Sequence, residues 1–214
     1  GLTEMTIPFV GTRRGNSGSE SLFGCIFYND VSTGARSVQQ YYGTSYNKYS
    51  HFYIPTNLTK VVVTDETVIG YGTFYGCEDL TSVEINEGVS SIGNRAFYGC
   101  KNISSSTLAN LPSSVKSIGS YAFSGCQGDV REIAIPEGVE VIGSYAFQNC
   151  YNVTNITISS TVTNIGERAF QSCYKVTSLA IPDTVQYIGA GAFGGCYGLT
   201  EMTIPFVGTR RGNS

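Results

Sequence analysis

The sequence predicts an α/β solenoid: short parallel strands stacked into a sheet along one side, a helical turn per coil on the other, and one irregular insert near the N-terminus. Three observations predict it. A ten-residue phrase ending in Cys recurs six times, a second phrase of alternating apolar and polar residues recurs between the copies, and the glycines of the first phrase lie about 23 residues apart. Composition agrees. Of 214 residues only 14% are charged, against roughly 25% in typical globular domains, while Gly numbers 26, well above its usual ~7% share. The net charge is −3, so the chain lacks the global basic field that recruits nucleic acid or anionic membranes, and neither is expected as a partner.

In chain order, the first element is a strand within residues 2–8, LTEMTI followed by Pro, whose last four residues alternate as a half-buried strand requires. The 17 residues GLTEMTIPFVGTRRGNS at 1–17 recur letter for letter at 198–214. A tandem period of 197 residues in a longer parent is therefore expected, with this chain an excised or processed piece of it. No stretch approaches the ~20 apolar residues of a membrane span and no signal segment is present, so direct membrane insertion is not expected of these residues.

Residues 9–57 form the insert. From Leu2 to Leu58 is 56 residues where one coil needs 23, leaving about 33 extra. Within it, Phe23-Gly24-Cys25 reads as a degenerate relic of the helical turn. The stretch YYGTSYNKYSHFY (41–53) gathers Tyr41, Tyr42, Tyr46, Tyr49, Phe52 and Tyr53. Tyr mixed with Ser, Gly and Asn gives rigid amphipathic contact area with adaptable hydrogen bonding, the composition of binding loops. Two readings follow: the insert packs its aromatics on itself to stay folded, or Tyr41, Tyr42, Tyr46, Tyr49 and Tyr53 contact a ligand.

Residues 58–205 carry the regular coils. The phrase reads VIGYGTFYGC (68–77), SIGNRAFYGC (91–100), SIGSYAFSGC (117–126), VIGSYAFQNC (141–150), NIGERAFQSC (164–173) and YIGAGAFGGC (187–196). A period near 23 lies in the 20–29-residue range of leucine-rich repeats. Between the copies stand LTKVVV (58–63), LTSVEI (80–85), the altered TLANLP (107–112), VREIAI (130–135), VTNITI (153–158), VTSLAI (176–181) and LTEMTI (199–204). With the first strand these make eight, which at ~4.8 Å spacing give a sheet roughly 35 Å long. Pro136, Pro182 and Pro205 end strands without donating to a ladder. The Gly after each Ile is expected to permit a tight reversal, and the Ala-Phe pair to make a helical turn that drops Phe74, Phe97, Phe123, Phe147, Phe170 and Phe193 into one buried column. The outward sheet face is expected to include Lys60, Glu84, Leu108, Asn110, Glu132, Asn155 and Thr157. Residues 206–214 begin a second insert, and with no capping coil visible both ends are expected to expose strand edges.

The phrase pair in IPEGVEVIGSYAFQNCYNV (135–153) and IPDTVQYIGAGAFGGCYGL (181–199) resembles the BspA-like leucine-rich repeats of bacterial surface proteins. The resemblance covers about residues 58–205. It implies a right-handed leucine-rich-repeat solenoid with a concave parallel sheet, a cell-surface or secreted location, and adhesion through host or bacterial surface proteins. Asn86 and Ser159 stand where the pattern has Pro, and three extra residues enter near 103–110.

No residue set supports catalysis, a metal or a cofactor. Cys77, Cys100, Cys126, Cys150, Cys173 and Cys196 share one repeat position and read as a ladder of buried free thiols, with disulfides or a metal the lesser alternatives. Gly189-Ala-Gly191-Ala-Phe-Gly194 matches a dinucleotide fingerprint only because it is one copy of the repeat phrase. His51 stands alone and reads as a packing or surface residue. Asp65-Glu66 and Glu78-Asp79 read as surface turns, Arg13-Arg14 and Arg210-Arg211 as solvated loop tips, and the sequons at Asn57, Asn102, Asn152 and Asn155 as incidental in a bacterial protein. Three functions remain open: an adhesion module binding a host or bacterial surface protein, a structural spacer in a tandem array, and a carbohydrate-binding module.

Overall fold

Alternation in the strand phrases sends every second side chain inward, and each coil can bury that face only against its neighbours. In the computed structural model, which describes residues 1–11, 22–27, 34–42 and 48–210, this produces a parallel-strand solenoid of about six turns. Strands β1 (Glu4–Ile7), β2 (Ala35–Tyr41), β3 (Tyr49–Pro55), β4 (Lys60–Val63) and β5 (Ser82–Ile85) come first. They are followed by β6 (Ser91–Ile92), helix α1 (Ser105–Leu108), β7 (Ser117–Ile118), β8 (Glu132–Ala134), β9 (Val141–Ile142) and β10 (Asn155–Thr157). Last come β11 (Asn164–Ile165), β12 (Ser178–Ala180), β13 (Tyr187–Ile188) and β14 (Glu201–Thr203).

The strand phrases do pair in parallel, but not as one sheet. They form the ladders β1-β4-β5, β8-β10 and β12-β14. The interruption after β5 lies at TLANLP, which is not a strand: Ser105–Leu108 is a helical turn, packed between β5 and β8. The phrase lacks strict alternation and carries the three extra residues, enough to close a turn. Its hydroxyls replace the missing strand's carbonyls, since Thr107 Oγ1 accepts the Val83 N–H at 2.9 Å and Ser105 Oγ accepts the Arg131 N–H at 2.7 Å. Leu108 and Asn110 are therefore not on an outward strand face. Leu108 is buried, and Asn110 Nδ2 donates to the Ser106 carbonyl.

The longest sheet, five two-residue strands in the order β6-β7-β9-β11-β13, comes from the first two residues of the ten-residue phrase, just before its Gly. Here the glycines have a role different from the expected reversal. Gly93, Gly119, Gly143, Gly166 and Gly189 do not have positive φ. Instead, a Cβ on Gly143 would lie 2.5 Å from the Gly119 carbonyl carbon and the Ser120 nitrogen, and one on Gly166 2.4 Å from the Ser144 nitrogen. Gly is required because adjacent coils touch backbone to backbone.

The third side was expected to be helical and is not. Four copies of the phrase, at 91–100, 117–126, 164–173 and 187–196, make three successive reverse turns, such as Ala96 N–H to Gly93 O, Tyr98 N–H to Arg95 O and Cys100 N–H to Phe97 O, and the other two copies make two. Residues with left-handed backbone, Arg95 (φ 56°) and Gly99 (φ 69°) in this coil, stop these turns from propagating as a helix. Alternate residues then bond to the next coil: Arg95, Phe97 and Gly99 donate to the carbonyls of Ser120, Ala122 and Ser124. The α component of the expected fold is thus reduced almost to α1 and one 3-10 turn at Phe23–Ile26.

The core follows the repeat. Phe74, Phe97, Phe123, Phe147, Phe170 and Phe193 form the predicted column, with ring centroids 4.9–5.6 Å apart. Phe23 extends it, 5.0 Å from Phe74, so the 23–25 segment is the remnant of a coil. The cysteines stand beside the column, and all seven are free thiols. Cys100, Cys126, Cys150, Cys173 and Cys196 each donate S–H to the carbonyl of the Phe one coil earlier, at 3.1–3.6 Å. Burial pushes the thiol of Cys150 up to about 12 and those of Cys77, Cys126 and Cys173 well above their ordinary range.

Candidate functional site

The insert, expected to be irregular, contains an antiparallel hairpin of β2 and β3, with Ala35 opposite Pro55 and Tyr41 opposite Tyr49. Its alternating faces explain why: Val38, Gln40, Phe52 and Ile54 point into the protein and the intervening residues outward. The hairpin covers the first regular coil. Gln40 is fully buried; its Oε1 accepts the Gly24 N–H at 2.7 Å, and its Nε2 donates to the Thr73 and Tyr75 carbonyls at 3.2 Å each. In later coils those carbonyls receive N–H groups from the preceding coil, as Ala96 and Tyr98 do from Phe74 and Gly76. One Gln side chain substitutes for part of a missing coil. The N-terminal end is therefore partly capped, contrary to the expectation of two open ends, although among the described residues no strand pairs with the outer edge of β1.

Two acidic pairs join this cap. Arg36 bridges Glu78 and Asp79 at 3.0 and 2.8 Å, with Lys101 also on Glu78. Glu66, expected on the surface, is buried, and its two oxygens accept the N–H groups of Val10 and Thr67. It ties the N-terminal segment to the coil that starts with β4.

The insert tyrosines divide. Tyr41 and Tyr49 pack at 5.7 Å, Tyr41 also meets Tyr75 at 4.8 Å, and Tyr49 meets His51 edge-on. Tyr42 closes the hairpin, its N–H donating to the Lys48 carbonyl at 3.0 Å. Tyr53 is half-buried opposite Ser37. Tyr46 lies outside the described residues, as do Arg13, Arg14 and Arg211. The self-packing reading accounts for Tyr41, whereas Tyr49 and His51 stay exposed on the outer hairpin face.

On the strand face, Lys60 and Glu84 project outward as predicted, and Lys60 Nζ lies 3.0 Å from both Glu4 and Glu84. Those two carboxylates raise its pKa. Glu132 and Asn155 are exposed and hydrogen-bonded at 3.1 Å. Asn155 and Thr157 also border a shallow cleft of about 420 Å³ where β10 and β12 lie side by side without a shared ladder; Glu201 and Thr203 form its far wall. A larger groove of about 750 Å³ follows the Ile-Gly ladder, with Asn164, Gln186, Tyr187 and Arg210 along it.

Two outer tyrosine ladders were not anticipated. Tyr75, Tyr98, Tyr121 and Tyr145 step along the turn side at 4.5–6.3 Å. Arg95 sits over Tyr121, and Arg168 hydrogen-bonds the Tyr145 hydroxyl. Burial, followed by its neighbours Tyr98 and Tyr41, raises Tyr75 to about 12. The second ladder, Tyr151, Tyr174 and Tyr197, stacks face to face at 5.0 and 5.8 Å. It becomes steadily more open, with Tyr174 42% and Tyr197 85% exposed. The signal was present in the sequence: the last three repeats all place Tyr directly after the ladder Cys.

Among the described residues no helix is long and apolar enough to cross a membrane. No curated protein sequence matches the chain. Among solved structures, a leucine-rich-repeat protein of T. pallidum superposes with a TM-score of 0.65 at 24% identity, covering 82% of this chain and 81% of its own. A leucine-rich cell surface protein of Faecalibacterium prausnitzii gives 0.63 at 27% identity, over 97% of this chain and 49% of its own. A leucine-rich-repeat protein of Bacteroides ovatus gives 0.54 at 26%, over 83% and 54%. The chain thus spans about half the length of the latter two. The profile of the BspA-type leucine-rich-repeat region matches in six copies over residues 44–110 and 106–213. On that match, supported by the coil geometry, the chain belongs to the BspA-type leucine-rich-repeat family.

Proposed function

We propose that this chain is a non-enzymatic protein-interaction module of a bacterial cell-surface protein, used for adhesion to a host or bacterial surface protein. The observation that carries this is the open ladder of Tyr151, Tyr174 and Tyr197. Tyrosines are favoured anchors at protein interfaces because they bring large contact area at low entropic cost, and here stacking has already fixed their rings. Membership of a family of surface leucine-rich-repeat proteins supports the location, as does the likeness to a protein described as a leucine-rich cell surface protein.

The stacking also favours a protein over a glycan. Sugars lie against aromatic faces, and within this ladder the faces cover one another, leaving edges and hydroxyls as the presented surface. The strand face offers small polar residues and one Lys60–carboxylate cluster, so it serves as the supporting rim.

The test is binding of the labelled chain to intact host and bacterial cells, compared with Tyr174→Ser/Tyr197→Ser and Tyr49→Ser variants. Loss of about tenfold or more in affinity, roughly 1.4 kcal/mol, is expected for the double variant. Unchanged binding by the double variant, with loss on Tyr49→Ser, moves the contact to the hairpin. No cell binding by any form favours a structural spacer.

A further inference from the structure

Two columns on the turn side run through the six coils in left-handed backbone. In the first, two residues after the Phe of each phrase, φ is 62–78°, and the residues are Gly four times and otherwise the small Asn149 and Ser172. Such residues are expected where the backbone brings Cβ against a carbonyl oxygen. In the second, two residues after the Gly of each phrase, φ is 51–63°, and the residues are Gly72, Arg95, Tyr121, Tyr145, Arg168 and Gly191. Four large side chains thus stand consecutively where the backbone favours none, and glycine returns at both ends. Strain of this kind clusters at functional sites.

The four side chains form one stack. Tyr121 and Tyr145 lie parallel at 4.5 Å, the Arg95 guanidinium covers Tyr121 at 5.1 Å, and that of Arg168 covers Tyr145 at 5.6 Å. Arg95 and Arg168 donate to the hydroxyls of Tyr71 and Tyr145, each at 2.6 Å. Two cations therefore bracket a tyrosine pair, three coils apart, or about 14 Å at ~4.8 Å per coil. The positions on either side of the stack are the uncharged Asn94, Ser120 and Ser144 and Tyr98, Ser124 and Gln148. Glu167 lies against Arg168 at 2.7 Å.

We propose that Arg95, Tyr121, Tyr145 and Arg168 form a docking site for an extended acidic segment of a partner protein, with carboxylates four residues apart. An extended strand advances ~3.3 Å per residue, so four residues span ~13 Å and return to the same face. A helix rises ~1.5 Å per residue, which puts its same-face positions about 10 or 16 Å apart, and it meets one arginine only. A stacked guanidinium still matches a carboxylate with its remaining N–H donors, and the residue midway between the carboxylates faces the tyrosine edges. A polyanionic glycan fits less well, because the chain carries a net charge of −3 and two separated cations do not make a continuous basic track. The inference does not rest on the ladder of Tyr151, Tyr174 and Tyr197.

The experiment is fluorescence anisotropy of the full chain with the labelled peptide STEVTVEST. Its partner STEVTEVST keeps composition and charge but moves the second carboxylate to the opposite face of a strand. The first peptide should bind about tenfold more tightly than the second, and more weakly as ionic strength rises. Arg95→Gly and Arg168→Gly should each weaken binding about tenfold without lowering the melting temperature, because Gly relieves the left-handed backbone. Glu167→Gln should tighten it severalfold by releasing Arg168, a gain that no misfolded variant imitates. Equal affinity for the two peptides, no binding of either, or tighter binding of dextran sulfate than of STEVTVEST overturns the proposal. So do arginine variants that melt earlier yet bind the peptide as before, which makes the stack a structural brace only. Because the readout is a defined peptide, the result is independent of whether the other tyrosine ladder serves in cell binding.

Discussion

Replacing Gly143 with Ala tests whether the coils are held at backbone contact. The added methyl would sit 2.5 Å from the Gly119 carbonyl carbon and the Ser120 nitrogen, whereas non-bonded carbons need ~3.5–4.0 Å. The coils must part by about 1 Å. That stretch would carry the Gly143 N–H to Ile118 O bond (2.7 Å) and the Tyr121 N–H to Ser144 O bond (2.9 Å) beyond hydrogen-bonding range. Two lost bonds cost about 1 kcal/mol each and overpacking ~1–3 kcal/mol. The reduced entropy of the unfolded chain offsets ~0.4–1 kcal/mol. The expected net loss is about 2–5 kcal/mol. Gly70 is the internal control: it occupies the same phrase position in the first regular coil, and its nearest atom, Thr73 Oγ1, is an ordinary 3.5 Å away. Gly70→Ala should be neutral or stabilising by up to ~1 kcal/mol. Urea unfolding followed by far-ultraviolet circular dichroism measures both. Equal midpoints for the two variants would refute inter-coil contact as the reason for these glycines.

Other expectations follow from the same packing. Phe147→Ala opens a hole between Phe123 and Phe170, each 5.3 Å away, and should cost ~3–5 kcal/mol; an unchanged urea midpoint would remove the column as a source of stability. Gln40→Leu leaves the Gly24 N–H and Tyr75 carbonyl without their partner, a loss of about 2–3 kcal/mol, and should release the hairpin first, seen as faster tryptic cleavage at Arg36. Unfolded thiols ionise near ~8.5, while the folded Cys150 thiol holds its proton to about 12. Between those values the folded state binds more protons, so stability falls as pH rises, by ~1.4 kcal/mol per unit for each such thiol. The urea midpoint should decline across that window, and Cys150→Ala should flatten the decline by one thiol's share. In native buffer the half-exposed Cys25 should react with a thiol reagent ahead of the buried ladder, and all seven cysteines should react after denaturation; early reaction of Cys100 or Cys126 would contradict their burial.

Period and alternation were enough to read the solenoid, the inward strand residues, the phenylalanine column and the shared cysteine position, because a coil that buries its face only on its neighbours must repeat its chemistry at fixed spacing. The same logic placed Lys60, Glu84, Glu132, Asn155 and Thr157 on an outward face. It failed at TLANLP, where three extra residues let Ser105 and Thr107 hydroxyls serve as strand acceptors. It also took the Ala-Phe segment for helix, because sequence spacing does not reveal the left-handed residues at Arg95, Tyr121, Tyr145 and Arg168 that convert a helix into stacked turns.

The sequence by itself determined what repeats: the 23-residue coil, its buried column, its ladder cysteines and the duplicate copies of GLTEMTIPFVG. Tertiary structure alone decided what depends on neighbours. It made the insert a hairpin whose buried Gln40 completes the first coil, turned adjacent glycines into points of backbone contact, and aligned Tyr151, Tyr174 and Tyr197 into an open ladder. Periodicity is local and legible along the chain; whether a group is covered depends on what the next coil places over it.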